Sequence, residues 1–349
     1  MHTELFWPAT FCVDDNDLWF VYGKVCMLCK YSLLSKECKV IGEIPVKNRM
    51  QEGLFIKMLK KDNHIFMIPS WADNIIIYDI KKDEFQILPL KKENKIKFCE
   101  AFMINDRLVC VPCTSNEIII INTKDISIEN KCDLSKLMIS EKIEYFNDAS
   151  LIDDNLIIMV SPQSAYIYEY NVKENSIKTC DIGSDAIGYS FIAKLKDRVA
   201  LCDDKRKKIL LYNINIGKIE GEYWPSNKKM LALHEMFGDR FMIDDYDSSW
   251  IGVVDENFII RMEDKSALIQ NRSNYYSYLN GINEKCGETN IYFDNCDASF
   301  NWISNDKIEK KIRIYIDEAS RIRISKSILK EKIINESLIC SLGDYLEQI

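Results

Sequence analysis

Glycine and proline are scarce in this sequence, with 12 and 7 copies among 349 residues. That scarcity excludes a collagen-like chain and a chain built mainly of flexible linkers. Long apolar runs are missing as well. None approaches the roughly 18–20 residues that span a bilayer, and the N-terminus lacks the pattern of a secretory signal. We therefore expect no association with a membrane.

Positive charge is in the minority, with 46 Lys and Arg against 54 Asp and Glu and a formal net charge of −8. Because a surface for a phosphate backbone carries the opposite excess, no nucleic-acid partner is expected. The 13 cysteines are odd in number and lack the spacing of a disulfide framework, which favours a reducing, cytoplasmic location. The hydrophobic fraction of 47% is typical of a folded globular protein.

The sequence contains an internal repeat, which overrides any count of domains from length alone. Residues 67–85 align without gaps with residues 110–128. Each copy has a short apolar run, a polar loop, a second run rich in Ile and Tyr, a polar turn and a third run. Related copies occupy 18–38, 157–177, 199–219 and 241–260.

One spacing recurs in all six copies. A residue of the second run is followed, seven positions later, by an apolar residue of the third run. The pairs are Tyr31 and Cys38, Tyr78 and Phe85, Ile121 and Ile128, Tyr170 and Ile177, Tyr212 and Ile219, and Val253 and Ile260. Ile, Val, Tyr, Phe and Trp dominate the runs and favour pleated strands, and another apolar stretch precedes each copy. Four strands in each unit of roughly 45 residues predict an all-β fold, a β-propeller of four-stranded blades.

The number of blades follows from the number of copies. Six copies span about residues 9–265, and a degraded seventh covers 290–305 with a last strand at 310–316. We favour seven blades, with six as the alternative, and assign residues 1–316 to the propeller. Residues 1–8 either add a strand to the last blade or lie on the surface.

Residues 317–349 form a tail of a different kind, a strand or helix packed on the propeller. Its last part carries apolar side chains at helical spacing and predicts an amphipathic helix, capped at Asn335 or Ser337. The apolar stripe consists of Leu338, Leu342, Tyr345, Leu346 and Ile349.

The repeat resembles the kelch-type propeller repeat of the galactose-oxidase central domain, through an apolar run ending in Tyr-Asp or Tyr-Asn and an apolar residue seven positions after the Tyr. The matching residues are Tyr78-Asp79 with Phe85, Tyr170-Asn171 with Ile177, and Tyr212-Asn213 with Ile219. The glycine doublet of the kelch repeat is absent. The resemblance implies a ring of four-stranded blades, used mainly for binding. The copper site of the galactose-oxidase branch is not carried over, since the chain has only three histidines.

Two Cys-x-x-Cys pairs, Cys26 with Cys29 and Cys110 with Cys113, have the spacing of half a zinc site. Residues three apart in a strand point to opposite faces, so we interpret these cysteines as buried apolar side chains. No nucleotide-binding, hydrolase or zinc-protease motif occurs in the sequence. We therefore expect no metal, no cofactor and no catalytic residue.

The candidate ligand-binding residues lie in the loops between the second and third strands of the repeats. Propeller geometry places these loops on one face, around the mouth of the central channel. They are either solvated turn residues or a site for a basic partner, a hard cation or a sugar. The candidates are Trp71, Asp73, Asp203, Asp204, Asp244, Asp245, Asp247, Trp250, Asp294 and Asp297.

The predicted function is a non-enzymatic binding or scaffold module whose partner is another protein. The alternative is a carbohydrate-binding or carbohydrate-active propeller that holds a glycan with the acidic and Trp residues at the channel mouth. That alternative requires at least two carboxylates in one pocket.

Overall fold

Seven four-stranded sheets follow one another along the described part of the chain. The computed structural model describes residues 8–14, 16–51, 53–90, 97–137, 146–203, 205–223, 231–236, 240–245, 250–254, 260–264, 283–286, 289–294, 299–304 and 307–335. Within each sheet the strands pair antiparallel, in chain order. The predicted all-β fold with four-stranded units is confirmed.

The first four sheets occupy the first half of the chain. Sheet 1 contains β1 (Pro8–Asp14), β2 (Asp17–Tyr22), β3 (Met27–Ser32) and β4 (Cys38–Glu43). Sheet 2 contains β5 (Phe55–Lys61), β6 (His64–Pro69), β7 (Asn74–Asp79) and β8 (Glu84–Pro89). Sheet 3 contains β9 (Phe98–Ile104), β10 (Arg107–Pro112), β11 (Glu117–Asn122) and β12 (Ser127–Asp133). Sheet 4 contains β13 (Asp148–Leu151), β14 (Leu156–Val160), β15 (Tyr166–Asn171) and β16 (Ser176–Asp181).

Three sheets and a helix follow. Sheet 5 contains β17 (Phe191–Leu195), β18 (Arg198–Asp203), β19 (Lys208–Asn213) and β20 (Lys218–Tyr223). Sheet 6 contains β21 (Leu231–Met236), β22 (Arg240–Asp245), β23 (Trp250–Val254) and β24 (Ile260–Asp264). Sheet 7 contains β25 (Asn283–Cys286), β26 (Thr289–Asp294), β27 (Ser299–Ser304) and β28 (Lys307–Arg313). Helix α1 spans Glu318–Asn335.

The first strands of successive sheets lie side by side, which is the arrangement of propeller blades around an axis. β1 contacts β5, β5 contacts β9, and the series continues through β13 and β17 to β21. β25 of the last sheet contacts β1 of the first. The fourth strands lie outside and are largely exposed, as in β8 and β12. The number of blades in the closed ring stays a prediction.

Alternate side chains of one strand pack against two different neighbouring sheets, because successive side chains of a strand point to opposite faces. In β2, Phe20 packs toward sheet 7 and Trp19 packs toward sheet 2. In β10, Leu108 packs toward sheet 2 and Val109 toward sheet 4. Strands covered on both faces explain the continuous apolar runs of the sequence.

The seven-residue spacing corresponds to a cross-strand pair between the third and fourth strands of a sheet. In sheet 2 Tyr78 lies opposite Phe85, and the equivalent pair is present in sheets 1, 3, 4 and 5. The sixth copy differs, since Val254, not Val253, lies opposite Ile260. The prediction for that pair is wrong by one position. Val253 lies opposite Arg261, eight positions on, so the connection between β23 and β24 is one residue longer than in the other five sheets.

The turns between these strands share a left-handed residue two positions before the second member of the pair. Its φ lies between 48° and 66° in the five sheets, at Lys36, Asp83, Ile126, Asn175 and Gly217. Where this residue is Asp or Asn, the tyrosine of the pair donates a hydrogen bond to it. Tyr78 Oη lies 2.5 Å from Asp83 Oδ1, and Tyr170 Oη lies 2.8 Å from Asn175 Oδ1.

We expect Gly217→Asn to preserve or raise stability, whereas Gly217→Val lowers it. Asn tolerates the φ of 66° at this position, and a Cβ there lies 3.8 Å from the Tyr212 hydroxyl, near the acceptor position that Asn175 occupies in sheet 4. Urea denaturation should show a change of 0 to about +1 kcal/mol for Asn and a loss of about 1–2 kcal/mol for Val. Equal losses for both variants would contradict the shared turn geometry.

The last sheet packs directly on the first. Phe300 of β27 lies edge-on to Phe11 of β1, with ring centroids 5.2 Å apart, and also contacts Phe20 and Phe293. These side chains belong to one buried cluster that spans sheets 1 and 7. Pro8 begins β1 of sheet 1 and does not extend the last sheet, while residues 1–7 lie outside the described residues.

Helix α1 packs against β4, so it covers the junction of the two end sheets. Ile324 enters the cluster shared by sheets 1 and 7. Arg323 donates hydrogen bonds to the carbonyl oxygens of Val40 and Ile41, at 2.5 and 2.8 Å. Helix α1 begins at Glu318, earlier than the predicted helix, whose start is expected at Asn335 or Ser337.

The structure places Asn335 in α1 as its last residue, so a helix cap at Asn335 is wrong. Ser337 and the stripe from Leu338 to Ile349 lie outside the described residues. In the part of the chain that the structure describes, no helix combines the length and apolarity needed to cross a bilayer.

Candidate functional site

The antiparallel order gives every sheet two ends. We call the end that carries the loops between second and third strands, together with the connections between sheets, the front face. The end that carries the hairpin turns is the back face. Hydrogen bonds join the two kinds of front-face segment, for example from the amide of Tyr189 in the connection between sheets 4 and 5 to the carbonyl of Ser161 at 2.7 Å.

Trp71 lies on the front face, in the loop between β6 and β7, with 48% of its surface exposed. Its backbone is fixed, because the amides of Ser70, Trp71 and Ala72 all donate to the carbonyl of Leu54. The exposed indole is therefore carried by a backbone that hydrogen bonds fix in place.

Lys97 covers part of the Trp71 ring, with its ammonium nitrogen 2.9 Å from the ring centroid. It belongs to the connection that leads into sheet 3. The amide of Cys113 donates to the Lys97 carbonyl at 2.6 Å, and the Lys97 amide donates to Thr114 Oγ1 at 3.1 Å. The contact is a cation–π pair that joins two neighbouring sheets, and sequence spacing could not have found it.

Asp73 follows Trp71 in the same loop and is exposed. Its carboxylate lies 3.7 Å from the ammonium of Lys47, an ion pair between two solvated side chains. Such a pair contributes little stability. Asp73 is thus accessible on the front face near Trp71.

Asp203 is completely buried at the front end of β18. Its Oδ1 accepts a hydrogen bond from the amide of Arg206 at 3.1 Å. This geometry is that of an aspartate that stabilises its own turn. Asp203 and Asp73 belong to different sheets, and one is buried while the other is exposed.

A buried lysine was missed by sequence reasoning. Lys208, the first residue of β19, is 2% exposed, and its ammonium lies 2.6 Å from Asp185 Oδ1 and 3.6 Å from Glu222. Asp185 also pairs with Arg206. These pairs tie the connection between sheets 4 and 5 to the loop between β18 and β19. The only available signal was a lysine directly before the apolar run of β19.

We expect the pairs of Asp185 to make stability depend on pH in the acidic range. The hydrogen bond and charge of Lys208, together with Arg206, hold the pKa of the Asp185 carboxyl below its ordinary value. A lowered pKa in the folded state contributes stability that is present above the unfolded pKa of about 3.9 and is lost as the pH falls through the folded value. Asp185→Asn should therefore flatten the decline of unfolding free energy below about pH 4. An unchanged decline would contradict the ion pair.

The other predicted site residues, apart from Asp204 of sheet 5, belong to sheets 6 and 7. Asp244 and Asp245 end β22, Trp250 begins β23 and Asp294 ends β26, so their backbones lie at the front ends of these sheets. Asp204, Asp247 and Asp297 lie outside the described residues. A shared pocket of carboxylates at the channel mouth stays a prediction.

A groove of about 470 Å³ lies at the back end of sheet 4, away from all predicted site residues. Its carboxylates are Asp153, Glu169 and Glu174, and Leu156 and Ile177 form apolar parts of its lining. The buried Glu169 pairs with Lys178 at 2.6 Å. The groove is therefore acidic, and Lys178 neutralises one of its three carboxylates.

Cys29 and Cys110 are strand residues, whereas Cys26 directly precedes β3 and Cys113 directly follows β10. Cys26, Cys29 and Cys110 are buried as predicted, and Cys113 is half-buried. Cys26 packs between sheets 1 and 2, whereas Cys29 packs between sheets 1 and 7, on the opposite face. Burial raises the pKa of the Cys26 thiol to about 12, so this side chain is an unreactive apolar group. Within the described residues no group of three or more His, Cys, Asp or Glu is arranged to hold a metal ion.

Sheets of this form, placed side by side by their first strands, define the chain as a β-propeller protein. No family model and no curated protein matches the sequence. Solved structures do match. Virginiamycin B lyase from Staphylococcus aureus is similar over 90% of this chain and 98% of its own, with a TM-score of 0.61 and 17% identity.

Two further matches come from other kinds of protein. A chain of the mitotic checkpoint complex is similar over 90% of this chain and 87% of its own, with a TM-score of 0.54 and 9% identity. U3-55K is similar over 90% of this chain and 97% of its own, with a TM-score of 0.55 and 9% identity. At these identities the likeness establishes the propeller fold alone.

Proposed function

We propose that the chain is a non-enzymatic β-propeller that binds another protein with its front face. The observation that carries this proposal is the half-exposed indole of Trp71 on a loop fixed by hydrogen bonds to Leu54. Tryptophan dominates the binding energy of many protein interfaces when its position is fixed. Met50 and Ile187, at 40% and 49% exposure, add apolar surface on connections of the same face.

The structural neighbours support a binding role without specifying it. One of them is a chain of the mitotic checkpoint complex, a protein assembly by its name, whereas virginiamycin B lyase is named as an enzyme. Because one fold supports both uses, the proposal depends on the side chains of the front face. The kelch-type repeat and the cytoplasmic location stay predictions.

The carbohydrate alternative also stays a prediction, and it depends on the carboxylates of sheets 6 and 7. Among the residues whose side chains are described, Asp203 is buried in its turn and Asp73 pairs with Lys47. A glycan array probed with the full chain tests this alternative. Binding that requires Asp244 or Asp294 would support it.

Affinity capture with front-face and back-face variants tests the protein-binding proposal. The full chain is immobilised, and proteins captured from an extract of its own organism are quantified for wild type, Trp71→Ala and Leu34→Ala. Leu34 is the matched control, because it is 75% exposed in a hairpin turn of the back face.

We expect Trp71→Ala to lower the yield of specific partners about tenfold or more, which corresponds to 1.4 kcal/mol or more. Leu34→Ala should leave the yield unchanged, and all three proteins should share one thermal midpoint. Capture of no protein by wild type, or equal capture by Trp71→Ala, would contradict the proposal.

A further inference from the structure

Several partly buried lysines of the described strands lie close to carboxylates, whereas Lys97 does not. Those lysines face carboxylates at short distance, in the pairs Lys30 and Asp17, Lys57 and Glu100, and Lys131 and Glu117 at 2.6–2.7 Å. Lys97 instead lies over the Trp71 ring. Within the described ranges no carboxylate forms an ion pair with it, although the chain carries an excess of acidic residues.

The surroundings of Lys97 keep it in this position. Its backbone is hydrogen-bonded on both sides to the loop between β10 and β11, at Cys113 and Thr114. The indole beneath it is fixed through Leu54. Binding at such a surface loses little conformational entropy, because neither the backbone of Lys97 nor that of Trp71 has to be ordered.

Lys47 adds a second positive charge at the loop that carries Trp71, through its ion pair with Asp73. Its side chain is 84% exposed and is held by Asp73 at 3.7 Å. The surface formed by Lys47, Trp71, Asp73 and Lys97 therefore has a net positive charge on a chain whose net charge is −8. Charge complementarity at this surface therefore favours an acidic ligand over a basic one.

We propose that the surface of Lys47, Trp71 and Lys97 binds an acidic peptide segment of the partner protein. A carboxylate of the segment pairs with the Lys97 ammonium, and a neighbouring apolar side chain packs on the exposed part of the indole. This inference rests on the proposed function and specifies the chemistry of the partner. Charge attraction would accelerate the encounter and would weaken as salt is added.

Selection from a display library of random linear peptides tests the inference with the full-length chain. Selected peptides are synthesised and titrated by fluorescence anisotropy against wild type, Lys97→Met, Lys97→Arg, Trp71→Ala and Lys173→Met. Lys97→Met retains an unbranched stem over the indole but removes the charge, and Lys97→Arg retains the charge. Lys173, an exposed lysine in a back-face turn, is the matched control.

We expect the selected peptides to carry a net negative charge and an apolar residue. Their Kd should rise about tenfold in Lys97→Met, should stay within about threefold in Lys97→Arg and should be unchanged in Lys173→Met. The Kd should also rise as NaCl increases from low to physiological concentration.

Other outcomes would overturn the inference in distinguishable ways. Peptides that require Trp71 but are neutral or basic, or that bind Lys97→Met as tightly as wild type, would contradict the acidic partner and leave the proposed function standing. Peptides that bind Trp71→Ala as tightly as wild type would contradict both. Selection of no peptide would contradict the inference alone, since affinity capture tests the proposed function separately.

Discussion

Replacing Phe300 with alanine should lower the free energy of unfolding by about 3–5 kcal/mol, the range for truncating a buried phenylalanine. Phe300 is completely buried and contacts aromatic rings of both end sheets, Phe11 and Phe20 in sheet 1 and Phe293 in sheet 7. The cavity would therefore open at the junction where the last sheet packs on the first. Chemical denaturation followed by circular dichroism measures this loss.

Leu34→Ala serves as the control for Phe300→Ala. Leu34 is an exposed side chain of the first sheet, so its truncation should change stability by no more than about 0.5 kcal/mol. A loss of less than about 1 kcal/mol for Phe300→Ala would mean that the two end sheets are not packed on each other as described.

Gly188→Ala should destabilise the protein by about 3 kcal/mol, at the upper end of the range for overpacking. A Cβ at this position would lie 2.3 Å from the carbonyl oxygen of Pro162 and 2.4 Å from its carbon. Both atoms belong to the backbone of the loop between β14 and β15, so no side-chain rotation relieves the clash. The neighbouring hydrogen bond from Tyr189 to Ser161 would be strained as well.

Gly183→Asn, in the same connection, is the control for Gly188→Ala. It replaces a glycine where a side chain meets no neighbouring atom, so only the backbone conformation is affected. Gly183 has a φ of 68°, which Asn tolerates, and nothing lies within 4 Å of a Cβ built there. We expect this variant to lose less than about 1 kcal/mol. If both variants lost the same amount in urea denaturation, the close approach of Gly188 to Pro162 would not be the cause.

The strands could be predicted from the sequence because their pairing fixes residue spacing. Tyr78 and Phe85 lie seven positions apart because they face each other across a turn of constant length, and four further sheets share this turn. The rule fails at Val253, which pairs with Arg261, eight positions on, because the connection in sheet 6 is one residue longer. Spacing therefore predicts register only where the turn length is conserved among the repeats.

Helix α1 could not be predicted from apolar periodicity. Its buried positions include Ser320 and Ser327 beside Ile324, whereas Ile322 is 52% exposed. Small polar residues on the buried face and an isoleucine on the exposed face remove the contrast on which an amphipathic pattern depends. The position of the helix is determined instead by packing on β4 and the bonds of Arg323.

The candidate site was predictable only in part, because burial and contacts between sheets are not encoded in local spacing. The loop position of Trp71 follows from the repeat, and its exposure agrees with a binding role. Whether an aspartate in such a loop is accessible cannot be derived from its position, since Asp203 is buried and Asp73 is exposed. Lys97 and Lys208 acquire their partners across sheet boundaries, where no local spacing relates the two residues.

A double-mutant cycle between Phe11 and Phe300 tests most directly whether the first and last sheets meet. Unfolding free energies are measured in urea for wild type, Phe11→Leu, Phe300→Leu and the double variant. With ring centroids 5.2 Å apart and edge-to-face geometry, we predict a coupling energy of about 0.5–1.5 kcal/mol. Additivity within about 0.3 kcal/mol would contradict a ring of sheets closed by the contact of sheet 7 with sheet 1.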